Sequence, residues 1–160
     1  MKVIHRFPLT TSPLLKNHWG HLMELDDALD QWLRNVNKLV PNVKQRQKIT
    51  LVGAEVYKTR LHDITKAKHY DENHKDTSQV THLADSIEVS GTNIDYIRDG
   101  TSLVGFTKKG INHGRIARLL NDGTKFIPGD HFVEDARRSS RQAVLAAQYA
   151  EYQRLLKGGN

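Results

Sequence analysis

The chain has 160 residues, 38% of them hydrophobic, and a formal net charge of +6. This length suits one ordinary domain with a modest core. The absence of cysteine excludes disulfides and thiolate metal sites. No apolar run approaches the length of a membrane span, and no apolar signal-peptide region follows Lys2 and Arg6. We therefore expect a soluble protein that is made in a cytoplasm and does not bind a membrane.

Residues 1–21 are predicted to form an extended basic arm. The segment contains two prolines and isolated hydrophobic residues without helical or strand periodicity. Up to residue 22 the chain has three basic residues and no acid, so half of the excess positive charge lies there. Met23 stands where periodic sequence begins, which makes it an alternative translation start.

Residues 22–65 are predicted to form a helical hairpin or one bent helix. Leu25, Leu29 and Trp32 belong to an apolar row at three-four spacing, and Pro41 ends the first helix. A two-stranded coiled-coil seam is an alternative interpretation of this row, but packing against the chain's own domain is favoured because the row spans fewer than three heptads. A second amphipathic helix runs from about residue 43 to residue 64.

The next part of the chain predicts a polar loop and a β-meander. Residues 66–81 are polar and aperiodic, which indicates a loop. Residues 82–110 contain three short strands, around 86–90, 93–98 and 101–106, and Asp99-Gly100 marks a tight turn that requires positive φ. With the flanking helices, these strands predict an α+β fold, in which a small antiparallel sheet of about three or four strands packs against long N-terminal and C-terminal helices. The domain spans residues 22–157.

The C-terminal part is predicted to contain a short helix, a glycine turn and a long helix. Residues 111–124 form the short helix and its Gly-Thr loop, in which Gly123 is expected to be left-handed. The long helix covers residues 130–157, and Asp130 is expected to cap it. Small residues recur on that helix at positions 136, 140, 143, 147 and 150. They can pack within the domain, which is favoured, or against a neighbouring subunit.

The order of residues in this half resembles a family signature. A short apolar helix runs into a Gly-Thr pair, which is followed by a hydrophobic helix start and an alanine. The matching residues are Ile116, Ala117, Leu119, Leu120, Gly123, Thr124, Pro128, Phe132, Val133 and Ala136. Upstream, a segment from Leu83 to Val89 and a short strand at Leu103–Phe106 also fit. The pattern resembles the neck and tail-completion proteins of long-tailed bacteriophages, which include head-tail joining proteins and minor tail components.

The resemblance implies a structural virion protein and not an enzyme. It implies a homo-oligomeric ring at the junction of tail and head, a hexamer in preference to a dodecamer, assembled in the host cytoplasm and located in the neck or upper tail. Its partners would be head-closure and tail-terminator or tail-tube proteins, and it would contact DNA in the channel. The candidate structural and assembly residues are Leu83, Ser86, Ile116, Leu120, Asp122, Gly123, Thr124, Pro128, Asp130, Phe132 and Ala136.

A nucleic-acid-binding accessory protein is the alternative function. Arg137, Arg138 and Arg141 are candidate channel-lining or DNA-facing residues on the last helix, and the basic arm would assist them. These arginines, like the basic residues between 44 and 48, are also typical of a solvated helix face.

Candidate catalytic and metal-binding residues are few. No nucleophile elbow, phosphate-binding glycine loop or zinc-binding helix motif is present. Of the nine histidines, His62, His69, His74 and His82 straddle a polar loop without a helical ligand pair, and His18 and His21 lie in the predicted arm. Asp95 and Asp99 are better explained by a turn and a strand edge than by a paired-carboxylate site. We therefore expect no catalytic residue, no metal and no cofactor.

Overall fold

A computed structural model describes residues 14–70, 80–108 and 110–158, with side chains from residue 25 onward. The predicted arm lies outside the described residues up to residue 13, and so does most of the predicted polar loop, from 71 to 79. The chain divides into two compact units, Met1–Val40 and Pro41–Asn160.

The first unit contains helix α1, Leu14–Leu39. The helix begins well before the predicted residue 22, so residues 14–21 of the predicted arm are helical. Its apolar row is exposed, and the Trp32 side chain keeps 59% of its surface accessible. Whether α1 forms a hairpin with the next helix stays a prediction.

The second unit is built on an antiparallel pair of long helices, α2 (Val43–His69) and α4 (Phe132–Leu156). A capping box starts α2, because the Asn42 side chain accepts from the Gln45 backbone and the Gln45 side chain accepts from the Asn42 backbone. The helices approach closely where a Cβ on Gly53 would lie 2.5 Å from Nε2 of Gln148. Among the described residues, no helix combines the length and apolar character needed to cross a membrane.

The sheet is smaller than predicted. Strands β1 (Ile87–Ser90) and β2 (Leu103–Phe106) pair antiparallel, with Ile87 opposite Phe106 and Ser90 opposite Leu103. Over the part of the chain that is described, these two strands form the whole sheet. The prediction of three or four strands is therefore not confirmed. Residues 93–98 form turns and bends instead of the predicted strand.

The core lies where α2, β1, α4 and the short helix α3 (His113–Asp122) meet. Phe132 is fully buried at the start of α4 and packs in a cluster with Leu61 and Ile87. A 3-10 turn, Ala84–Ser86, leads into β1 and contributes buried residues. The outcome is a mixed α and β unit, as the sequence predicts.

A buried histidine joins the segment before β1 to the segment after β2. His113 is 1% exposed. Its Nε2 lies 2.8 Å from the Thr81 carbonyl oxygen and its Nδ1 lies 3.2 Å from the Thr107 carbonyl oxygen. A neutral imidazole carries a single N–H, so it donates to one of these two carbonyl oxygens at a time.

Candidate functional site

The joint between α3 and α4 is fixed by one buried side chain. Asn121 Oδ1 accepts a hydrogen bond from the Val133 backbone N–H at 3.0 Å, and so caps a helix that begins eleven residues later. Backbone bonds from Asp130 to the Leu120 carbonyl and from His131 to the Asn121 carbonyl reinforce the joint. The role of Asn121 could not be predicted from the sequence, since a cap so distant in the chain has no local signature.

Asp130 is not the N-cap of α4, which corrects the prediction. The helix starts at Phe132 with His131 as its N-cap, at φ 52°, and the His131 side chain makes no capping bond. The Asp130 carboxylate still accepts from the Phe132 N–H at 3.3 Å. It also lies 3.5 Å from Lys68 Nζ, near the end of α2. Asp130 therefore stabilises the start of α4 from the position before the N-cap, whereas the prediction placed it at the N-cap itself.

The Gly-Thr loop comprises residues 123–130, and its backbone is packed so closely that a Cβ does not fit at Gly123 or at Gly129. Gly123 has φ 83° and ψ 177°, a positive φ as predicted, but in an extended, glycine-only region and not the left-handed helical region. A Cβ there would lie 2.5 Å from the Gly129 nitrogen. A Cβ on Gly129 would lie 2.6 Å from the Asn121 carbonyl oxygen. Any other residue at either position would collide with the backbone, so both positions require glycine.

Hydrogen bonds within the loop fix its tip. The Thr124 hydroxyl accepts from the backbone N–H groups of Phe126 and Ile127 at 3.1 and 3.0 Å, and the Thr124 N–H donates to the Ile127 carbonyl at 2.7 Å. Gly123 and Pro128 form a β-bridge at the base. The Phe126 side chain is 87% exposed on this fixed loop. Aromatic side chains are enriched among the residues that contribute most to protein–protein binding, so an exposed ring on a well-defined loop can serve as an anchor for another molecule.

The predicted assembly residues separate into two groups. Several belong to the core: Leu83, Ser86, Phe132 and Ala136 are buried, and Leu120 is half-buried. Others surround the loop and have accessible side chains: Ile116, Asp122, Thr124 and Pro128 are exposed, and Asp130 is half-buried. The matched pattern therefore combines residues that build the unit with residues that a binding partner could reach.

A groove runs between α2, β2 and α4, and we call it the Arg groove. It has a volume of about 830 Å³. Its apolar lining includes Ala54 and Val144, and its mouth carries Arg137, Arg138 and Arg141. The structure thus brings the three predicted basic residues together at one cavity.

The three arginines differ in their contacts. Arg138 donates to the Asp135 carboxylate at 2.5 Å, and this bond, with a smaller contribution from Lys68, holds the pKa of Asp135 below its usual value. Arg137 lies near the Tyr57 phenol. Burial raises the pKa of Tyr57, and Arg137 partly opposes that increase. Among the described residues, Arg137 and Arg141 have no carboxylate partner.

The small residues of α4 do not form one packed stripe along the whole helix. Ala136 and Ser140 are buried, which agrees with packing inside the unit, but Ala143 and Ala150 are exposed. The packed face continues instead through Val144, because the helical repeat carries Ala143 away from α2.

A second loop, residues 91–102, also holds apolar side chains in solvent. Asn93 Oδ1 accepts from the backbone N–H groups of Asp95 and Ile97, each at 2.9 Å, and Asn93 Nδ2 donates to the Asp99 carboxylate at 3.0 Å. The Asp99 carboxylate also accepts from the Thr101 hydroxyl, which lowers the pKa of Asp99. These bonds compete with a strand ladder, which explains why the predicted strand at 93–98 does not form.

No metal-binding cluster is present in the described ranges. No group of three histidine or acidic residues there is placed to hold a metal ion. His62 lies 3.4 Å from both Asp63 and Asp85, as a surface contact. His74 lies outside the described residues. The Asp99 carboxylate is occupied by bonds within its own loop, as the turn interpretation predicted.

Comparison with known proteins identifies no relative. No protein-family model matches the chain, no curated protein matches it, and no solved structure resembles it at a significant level.

Proposed function

We propose that the protein is a structural component of the bacteriophage neck, a tail-completion or head-tail connector protein that assembles as a homo-oligomeric ring. The proposal begins from the sequence pattern around the Gly-Thr loop. The observation that carries it is the position of Phe126, an exposed aromatic ring on a loop whose two flanking glycines, Gly123 and Gly129, leave no space for a Cβ. A surface built in this way suits a rigid assembly contact, because little conformational entropy is lost when it binds.

The experiment is a joining assay. A phage that lacks the gene should accumulate DNA-filled heads and separate tails. Purified protein added to those tails before mixing should restore infectious particles. Heads that have lost their DNA would instead assign the protein to head closure, and normal particles in the absence of the gene would remove it from the junction.

A surface variant tests the observation itself. Phe126→Asp should abolish joining while the protein remains folded, since the ring makes no contribution to the buried core. Lys125→Ala is the matched control, because it lowers the net charge by the same single unit on the neighbouring residue and leaves the Phe126 ring in place. Full activity of Phe126→Asp would show that the loop is not an assembly contact.

The alternative is a nucleic-acid-binding accessory protein, favoured by the shared location of Arg137, Arg138 and Arg141 at one groove. Two observations make this alternative the less favoured one. Two of the arginines already lie beside Asp135 and Tyr57, and the groove lining includes apolar residues. Duplex binding that weakens steeply with added salt, and that Arg141→Ala reduces, would support this function in place of the first.

A further inference from the structure

We propose that the Arg groove receives helix α1 of a second copy of this chain, and that Asp26 and Asp30 of that helix pair with Arg137 and Arg141. The inference rests on the proposed ring, because it names the contact that would join one subunit to the next. A contact between α1 of one copy and the groove of another is head-to-tail, and head-to-tail contacts form a ring when the rotation between successive subunits closes.

The apolar surfaces of the two sides match. Leu25, Leu29 and Trp32 form one row on α1, and all three are exposed. The groove lining includes Ala54 and Val144, with Leu103 and Leu145 exposed at its edges. Packing of one apolar surface against the other would remove both from water, which favours association.

The charges are complementary. Between Leu25 and Leu33, α1 contains three acidic residues and no basic residue. Asp26 and Asp30 are four residues apart beside the apolar row and are exposed. Arg137 and Arg141 are also four residues apart, on α4 at the groove mouth, and neither has a carboxylate partner among the described residues. The rise between the residues of each pair is about 6 Å, so both ion pairs can form at once when the helices lie side by side.

The lengths also agree. The groove follows α4 from Glu134 to Gln148, which is about 21 Å of helix. The acidic and apolar part of α1, residues 25–33, spans about 12 Å. The groove is therefore long enough to hold this part of the helix.

Two full-length charge-reversal variants test the contact. The first is Asp26→Arg with Asp30→Arg, and the second is Arg137→Glu with Arg141→Glu. Each variant alone places like charges across the contact and should self-associate about tenfold more weakly than the wild type in sedimentation velocity. An equimolar mixture should recover wild-type association, because each altered surface then meets its complement on the other variant.

Several controls keep this experiment decisive. Lys44→Glu with Lys157→Glu changes two exposed cations outside the groove and should leave association unchanged. Arg141→Glu alone is a second groove variant, which leaves Arg137 beside Tyr57. Circular dichroism should show native helix content in every variant.

Three outcomes would overturn the inference: failure of the mixture to recover, a wild type that stays monomeric, or groove variants that lose duplex DNA binding while associating normally. The last outcome would assign the groove to nucleic acid. If association depends on other surfaces and the joining assay succeeds, the proposed function survives and only this contact fails. If the mixture recovers and joining fails, the contact survives and the neck function does not.

Discussion

The Gly-Thr loop and the 91–102 loop achieve the same result by different physical means. Each holds apolar side chains in solvent, with Phe126 on the first and Tyr96 on the second. The first loop is fixed by close backbone packing around Gly123 and Gly129, and the second mainly by side-chain hydrogen bonds around Asn93. At Gly123 and Gly129 no side chain larger than hydrogen fits. The exposed hydrogen bonds around Asn93, in contrast, can be lost one at a time.

The largest effect is expected at Gly123. Gly123→Val should destabilise the protein by about 3 kcal/mol, since it adds a branched side chain at a glycine-only φ and against the Gly129 backbone. Urea unfolding should measure the loss. Gly105→Ala is the control, because a Cβ at that position in β2 meets no atom within 4 Å. Equal midpoints for Gly123→Val and the wild type would mean that the loop is not sterically closed.

The next effect concerns the base of the Gly-Thr loop. Asn121→Ala should cost about 1–2 kcal/mol, because the half-buried Val133 N–H loses its acceptor. Thermal unfolding of Asp122→Ala supplies the comparison, since the Asp122 side chain is exposed and accepts only from Asn121 and an exposed arginine. If the two variants have the same stability, the joint does not depend on the Asn121 cap.

A smaller effect is expected at the centre of the second loop. Asn93→Ala should cost about 1 kcal/mol, although it removes three hydrogen bonds, because the groups released are exposed and bind water instead. Chemical denaturation would measure it, with Thr92→Ala as the neighbouring control. A loss as large as that of Gly123→Val would remove the distinction between the two loops.

The smallest effect is a pH dependence. Bonds from Thr101 and Asn93 hold the pKa of Asp99 below its ordinary value of 3.8 in the folded protein. The stabilisation is therefore present above that value and is lost as the pH falls through the lower folded pKa. Asp99→Asn should flatten the acid limb of the stability curve slightly. An NMR titration of the Asp99 carboxyl that gave an ordinary pKa would contradict this.

The sequence predicted those parts of the fold whose signals are local. Asn42 and Pro41 mark the boundary before α2, and the small residue Ala136 lies at a packed helical position. β1 and β2 were predicted to within two residues, since short apolar alternation between turn residues is a local pattern. The start of α1 was wrong, because Pro13 and isolated polar residues obscure a helix that begins at Leu14.

Parts that depend on distant contacts could not be predicted. Residues 93–98 include strand-forming side chains. However, the Asn93 side-chain oxygen accepts hydrogen bonds from backbone N–H groups two and four residues later, and in the described part of the chain no strand pairs with this segment. The Arg groove joins α2 and α4, which are far apart in sequence, so only the presence of Arg137, Arg138 and Arg141 was predictable and not their shared cavity. The family resemblance and the ring stay predictions.

The base of the Gly-Thr loop has a consequence for engineering. Bonds from Asp130 and His131 to the end of α3 hold the two ends of the loop together independently of its tip. Extending a loop whose ends are already held costs little chain entropy, about 0.6 kcal/mol for each doubling of its length. A short peptide epitope inserted between Lys125 and Phe126 should therefore leave a folded protein, whose tip an antibody could detect or cover during assembly.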